Sequence, residues 1–290
     1  MPSFRRLAIA LIALIPFIQT APASAWSGYG HEIVAQIALA NVKPATRAAL
    51  KQLLAKQALL ETPACPARTI GEAARWADCV RSNKTFKDRF SYQDPWHYQN
   101  VEPCKAFDLK SVCRNGNCVS AQIERQVRML KDPALPTRER VQALLLLIHF
   151  VGDLHQPLHA VDHNGDGGGN GVRADYGIVT YEKLSLHRIW DAFVAERGIT
   201  SPPSLIHVYS GEDRARLAGG KVEDWSREAW ELARSQVYPA ALGPDYCTAP
   251  KDRRGSVSEA EIEALVPMVR DQVAKGGLRL ARLLDEAFAG

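Results

Sequence analysis

The run Val141-Gln142-Ala143-Leu144-Leu145-Leu146-Leu147-Ile148 is apolar on nearly every face of a helix, and a helix apolar all round has to be buried. It leads directly into His149-Phe150-Val151-Gly152-Asp153-Leu154-His155-Gln156-Pro157-Leu158-His159. On a helix running roughly from Thr137 to Leu154, His149 and Asp153 lie four residues apart and project from one face. An imidazole and a carboxylate in such a place are costly unless paired, hydrogen-bonded or metal-bound. Pro157 lets the chain turn, so that His159 can approach the same region from outside the helix. A His–Asp ion pair explains one such spacing as well as a metal does. The spacing recurs, however, as His187-Arg188-Ile189-Trp190-Asp191 in a second helix-like segment. Two pairs together with further acids and histidines point to several metals, and imidazole with carboxylate suits zinc.

The ends of the chain bound its setting. Arg5 and Arg6 precede an apolar run from Leu7 to Ile18, followed by Ala23-Ser24-Ala25. This reads as a secretory signal peptide over residues 1–25, too short for a membrane span. It implies a secreted or periplasmic protein that starts at Trp26, without a membrane anchor. Residues 1–25 carry two of the 36 basic side chains and no acid, which leaves a near-neutral mature chain against 32 acids. Charge alone therefore does not point to nucleic acid. Six cysteines in an exported chain suggest disulfides. They are Cys65, Cys79, Cys104, Cys113, Cys118 and Cys247, none in a C-x-x-C that would make a thiolate zinc site. Cys113 and Cys118 bracket a turn-like loop that a local bridge could close.

Helical periodicity dominates the rest. A helix is predicted from near His31, another from Pro44, and others over 70–81, 120–131, 185–197 and 221–238. The last begins near Ser258, where Ser258 and Glu261 fit a capping box; Gly276-Gly277 is expected to break it before Leu278. Residues 172–181 alternate enough for a small β-hairpin. The expectation is an all-α, mainly helical domain over 26–290 in which helix faces and loops converge on metals.

Taken together, Trp26-x-x-x-Gly30-His31, Trp76-Ala77-Asp78, Trp96-His97, His149-x-x-x-Asp153-x-His155-Gln156-Pro157-Leu158-His159, Gly168-Gly169-Asn170 and Leu186-His187-x-x-Trp190-Asp191 resemble the S1/P1 nuclease family, in that family's order and across almost the whole mature chain. The resemblance implies a helical fold of the phospholipase C/P1 nuclease type with three zinc ions. Asp78, His97, His149 and Asp153 would hold the first. His159, His187 and Asp191 would hold the second. His31, Asp153 and the α-amino nitrogen and carbonyl oxygen of Trp26 would hold the third. It also implies that Asp78, Arg81 and Asp153 serve catalysis, Arg81 by contacting developing phosphate charge. Tyr98 would stack a base, and Gly168, Gly169 and Asn170 would shape the nearby wall. Asn100 stands where the family's nucleases often carry an Asp, so its contact to the base departs from the pattern. The implied disulfides are Cys113–Cys118 and Cys104–Cys247, which leaves Cys65 with Cys79. The implied activity is zinc-dependent endonucleolytic cleavage of single-stranded DNA and RNA to 5′-phosphate products, with 3′-nucleotides as further substrates, by a monomer. His155 falls outside the ligand set and reads as a supporting or packing histidine, and His163 and His207 as loop or surface residues.

Two other readings compete. A zinc-dependent phospholipase C would share the metal site and fold, but Trp26-x-x-x-Gly30-His31 and Tyr98 favour the nuclease. A non-enzymatic zinc-binding protein would fit the ligands, yet three protein ligands at the second zinc leave room for water or substrate, as catalytic zinc requires.

Overall fold

The computed structural model describes residues 26–289, so the leader expected over 1–25 lies outside the described residues. The longer helices, in chain order, are α1 (Gly28–Asn41), α2 (Pro44–Leu54), α3 (Ile70–Ser82), α4 (Val119–Lys131), α5 (Thr137–Leu154), α6 (186–200), α7 (222–242) and α8 (Glu259–Ala287). Short helical turns fill the connection from α3 to α4. The protein is mainly helical, with two three-residue strands among the described residues. No helix among them is long and apolar enough to cross a membrane.

The apolar run becomes α5, the central helix. Val141 and every residue from Ala143 to Leu154 are buried. Burying one leucine side chain contributes about 1.5–3 kcal/mol, so Leu144 to Leu147 alone fix this helix in the core. α3 and α4 pack along it, α1 crosses beside α3, and α8 lies against α1 and α5. Pro44 starts α2 at a position where its missing N–H costs nothing. Thr69 caps α3 by accepting from the Glu72 N–H at 3.1 Å. The three disulfides join Cys65 to Cys79, Cys104 to Cys247 and Cys113 to Cys118. They tie down the loops around α3, the stretch after His97 and the entry to α4.

Two sequence expectations fail. α8 does not break at Gly276-Gly277 but runs unbroken from its Ser258–Glu261 capping box. Gly277 is there for proximity: a Cβ on it would lie 2.4 Å from Ile37 Cγ2, so α8 and α1 approach to a distance only glycine permits. Tertiary burial outweighs the roughly 1 kcal/mol helix penalty of each glycine. Nor do residues 172–181 form a hairpin of two strands. β1 (Ala174–Tyr176) pairs in parallel with the distant β2 (Gly255–Val257). Val179 meets Tyr176 only in a tight turn, because Gly177 at φ 54° reverses the chain too soon for a second strand.

Candidate metal centre

The site forms where six pieces of backbone meet. α1 brings His31, α3 brings Asp78 and Arg81, and the 3₁₀ turn Ser91–His97 ends in His97. α5 brings His149 and Asp153, and the turn Pro157–His159 brings His159. α6 brings His187 and Asp191, the latter in a π-helical turn, Ile189–Val194. Such wide turns often mark functional positions in helices. Two backbone hydrogen bonds, Gln99 N–H to His159 O at 2.9 Å and Val101 N–H to Ala160 O at 3.2 Å, hold the segment after His97 alongside the segment after His159.

Asp153 lies at the centre. Its Oδ2 is 2.9 Å from His97 Nδ1 and 3.2 Å from His149 Nε2, and its Oδ1 is 3.3 Å from His31 Nε2. Asp78 Oδ1 lies 3.7 Å from His149 Nε2 and 3.9 Å from both His97 Nδ1 and Arg81 Nη1. On the far side His187 Nε2 is 3.2 Å from Asp191 Oδ2, and the His159 and His187 rings lie 5.0 Å apart. Three groups have ligand atoms all within 4.8 Å of one another: His31, His149 and Asp153; Asp78, His97 and His149; His159, His187 and Asp191. A fourth, Glu102, Cys104 and His163, cannot offer a thiolate because Cys104 is bonded to Cys247.

Backbone carbonyls set the imidazoles. Nδ1–H donates to Ala74 O in His149 (2.7 Å), to His97 O in His159 (2.7 Å) and to Gly168 O in His187 (2.6 Å). Each then presents Nε2 inward, the arrangement that orients metal-binding histidines. Gln156 Nε2–H donates to Asp191 Oδ1 at 2.6 Å and aims the other oxygen into the cluster. Trp26 is pinned to both arms of the site: its indole N–H donates to Gly152 O at 2.8 Å, and the next amide, Ser27 N–H, donates to Asp191 O at 2.6 Å.

The electrostatics are unbalanced by the protein alone. Burial works against charge on Asp153, yet the surrounding imidazoles, His149 foremost, hold it well below the usual carboxylate range. Burial likewise opposes the charged form of His149, but Asp153 and then Asp78 outweigh it and push it up to about 9. Burial brings His97 down to about 4 despite its contact with Asp153. Even so, His31 Nε2, Asp153 Oδ1, His159 Nε2 and Asp191 Oδ2 are buried without a hydrogen-bond partner. Buried polar atoms that lack partners are costly, and here they are all metal-binding types facing shared space. The donor set, nitrogen and carboxylate oxygen with no thiolate, fits zinc.

Beside the cluster opens a cleft of about 250 Å³ lined by Arg81, Tyr98, Asn100, Leu158, His159, Gly167, Gly168, Asn170 and His187. It brings Arg81, Tyr98, Asn100, Gly168 and Asn170 together at the metal-binding side chains. Gly169 is set back from the wall, its carbonyl accepting from the His187 N–H at 3.2 Å. A Cβ on Gly168 would lie 2.3 Å from Leu158 O, and its φ is 63°, so the loop can pass there only as glycine. Asn100 also has a positive φ, 47°, which asparagine tolerates.

The sequence reading gave no role to Gln156, Gly152 or Leu158. A glycine inside a buried helix signals a close approach, and a Cβ on Gly152 would lie 2.5 Å from His31 Nδ1. His163 lies in a loop, as expected, but is buried there rather than on the surface, held at 3.0 Å from Glu102 Oε1. His207 is exposed and stacks on Tyr209 at 4.0 Å.

Comparison with known proteins follows the same outline. Residues 26–289 match the family model described as S1/P1 Nuclease. The chain is 26% identical to Endonuclease 2 of Arabidopsis thaliana, over 91% of this chain and 90% of that one. It is 24% identical to Nuclease S1 of Aspergillus oryzae, over 90% and 91% of the two chains. It is also 24% identical to Nuclease P1 of Penicillium citrinum, over 90% and 97%.

Proposed function

We propose, from the premise that this chain belongs to the S1/P1 nuclease family and is a hydrolase of phosphodiester bonds, that it cleaves single-stranded DNA and RNA with three zinc ions, yields 5′-phosphate products and also acts on 3′-nucleotides. The observation that carries this reading is the single cleft in which Arg81, Tyr98 and Asn100 stand against His159 and His187. In this reading Asp78, His97, His149 and Asp153 hold the first zinc, and His159, His187 and Asp191 the second. His31, Asp153 and the amine and carbonyl of Trp26 hold the third. Bound zinc brings the pKa of water to about 7 and stabilises charge on the attacking and leaving oxygens.

The protein's own groups do the positioning. Asp153 offers one oxygen to His97 and His149 and the other to His31, so one carboxylate serves two neighbouring ligand sets. Arg81 places a permanent positive charge on the cleft wall, where a phosphate gains charge during displacement. Tyr98 offers a ring on which an unstacked base can lie, a contact every base can make. Asn100 both donates and accepts, so it reads a base edge without imposing one sign of partner. A duplex keeps its bases stacked and offers none to this ring.

Removal of residues 1–25 would free the Trp26 nitrogen, which within a peptide bond is a poor ligand because its lone pair is delocalised. The reading therefore places the working enzyme after export, secreted or periplasmic. It is tested by metal analysis and turnover of protein beginning at Trp26 and of protein carrying one extra Met before it. Three zincs and strong preference for single strands are expected of the first, and two zincs with little turnover of the second. Turnover of phosphatidylcholine in place of nucleic acid would move the assignment to a phospholipase C. Tight zinc without turnover of either substrate would make the protein a zinc-binding one.

A further inference from the structure

The turn Ser91–His97 leads directly into Tyr98, which lines the cleft. Two residues before Tyr98 stands Trp96, half-buried, and four further back stands Tyr92, which is 47% exposed. Their rings meet edge to face at 5.1 Å. Tyr92 and Trp96 form a contiguous aromatic patch rather than a single scattered residue, and positive charge lies beside it. The Arg125 guanidinium lies 5.4 Å from the Trp96 ring centre. Burial raises the Tyr92 phenol, against the Gln142 hydrogen bond and the charges of Arg125, Arg138 and Arg89. Arg89 is partly balanced by Glu61 at 3.7 Å. Among the described residues Arg125 and Arg138 form no ion pair, and both are exposed.

The turn also holds these groups in place. Trp96 donates its indole N–H to Asn117 Oδ1 at 2.9 Å, beside the Cys113–Cys118 bridge. Gln142 Nε2–H donates to the Tyr92 hydroxyl at 2.5 Å, and Arg138 Nε–H to Leu59 O at 3.1 Å. A 3₁₀ turn rises about 2 Å per residue, which puts Tyr92 roughly 12 Å along the chain from Tyr98. That is a span of a few nucleotides on an extended strand.

We infer that Tyr92, Trp96, Arg125 and Arg138 form an outer binding track for single-stranded nucleic acid, which holds nucleotides lying beyond the one seated at Tyr98. The occupant follows from charge complementarity with phosphates and from the short run of chain that joins this turn to Tyr98 in the substrate cleft. An aromatic face beside unpaired guanidinium groups is how single strands are held without sequence preference. The inference rests on the nuclease reading and adds a consequence to it: long strands gain from the track and dinucleotides cannot reach it.

The test compares kcat/KM for a long single-stranded oligonucleotide and for a dinucleotide, in wild type, Tyr92→Leu and Arg125→Gln. Zinc content and Tm are checked in each. The ratio of long to short substrate is expected to fall about tenfold in each variant, in line with the loss of one stacked base or one phosphate contact. For Arg125→Gln the slope of log KM against log salt on the long substrate should become shallower by about 0.7. Arg125 is an exposed residue, so its variant remains informative even where Tyr92→Leu folds poorly. A ratio that falls less than threefold in Arg125→Gln overturns the track. Wild-type protein that cleaves neither substrate overturns the nuclease reading itself, so the two failures are distinct.

Discussion

Asp153 and His155 sit two residues apart at the end of α5, both buried, and their surroundings are opposite in kind. Asp153 faces His31, His97 and His149, all potential ligands, and its Oδ1 has no hydrogen-bond partner. His155 faces protein groups that answer it. Its Nδ1–H donates to Val151 O at 2.7 Å, and its Nε2 accepts from Arg279 Nη1 at 2.9 Å. Arg279 passes the interaction to Glu228 Oε2 at 2.6 Å and lies 5.1 Å from the Trp225 ring centre. Lys275 and Gln272 complete the Glu228 carboxylate. In that second network Arg279 Nε alone lacks a partner. The comparison teaches that burial of a polar side chain does not mark a site. A shortfall of partners, shared by several ligand-type atoms that face one space, does.

The largest effect that would break this contrast is at Asp153. Asp153→Asn should lower kcat/KM by several orders of magnitude and reduce bound zinc, because one carboxylate serves two ligand sets. His155→Gln should keep zinc and most activity while lowering Tm. Equal activity losses in the two variants, with zinc retained in Asp153→Asn, would erase the distinction.

A smaller effect sharpens the second network. Removing one partner of a buried charge pair costs about 3–5 kcal/mol; Glu228 keeps some contact with solvent, so Glu228→Gln should cost about 2–3 kcal/mol at neutral pH by that measure. The pH dependence has a definite sign. Burial opposes the Glu228 carboxylate, but the Lys275 hydrogen bond and the Arg279 charge outweigh it and hold its pKa at about 2. Asp271, which pairs with Lys275 at 2.6 Å, and His155 are the other titratable groups around the network. A group depressed on folding stabilises fully above its unfolded pKa, about 4.3 for Glu. That stabilisation is lost as pH falls from there toward about 2. The wild-type advantage over Glu228→Gln should therefore be flat from pH 7 to about 5 and vanish by about pH 2, as read by denaturant unfolding. Zinc release in acid is common to both proteins and cancels in the difference.

Much of this was legible in the sequence, for identifiable reasons. α5 declared itself because a helix apolar on all faces has one place to go, and the i,i+4 spacing of His149 and Asp153 survives any error in its ends. The ligand types of the two arms could be read because helical spacing is local. What could not be read was non-local. Whether Gly276-Gly277 breaks a helix depends on Ile37 lying against it. The partner of β1 is some 80 residues away in the chain. The burial of His163 within its loop could not be read because the Glu102 that holds it comes from another segment. The network around His155 is built from α7 and α8, and nothing near His155 in sequence announces it.

Gly152 is where the two surroundings meet, and it gives the smallest and most selective expected effect. It follows His149 by three residues and directly precedes Asp153, with His155 three residues on, in the last turn of a buried helix. Helix propensity favours alanine there by about 1 kcal/mol. The site forbids it: a Cβ would stand 2.5 Å from His31 Nδ1 and 2.9 Å from His31 Cε1, about an ångström inside ordinary contact. The His31 ring stacks on His149 at 4.0 Å, so it cannot move aside without leaving Asp153. Gly152→Ala should therefore leave Tm within a few degrees of wild type, as helix propensity offsets the crowding. Activity should fall about tenfold, equivalent to about 1.4 kcal/mol of transition-state stabilisation, with a partial loss of the zinc assigned to His31. Gly277→Ala is the control. Its Cβ would meet Ile37, which belongs to no proposed ligand set, so it should lower Tm by crowding worth about 1–3 kcal/mol and leave zinc content alone. Unchanged zinc and activity in Gly152→Ala would mean that His31 has room to retreat and is not fixed by α5, and the third ligand set would lose its structural support.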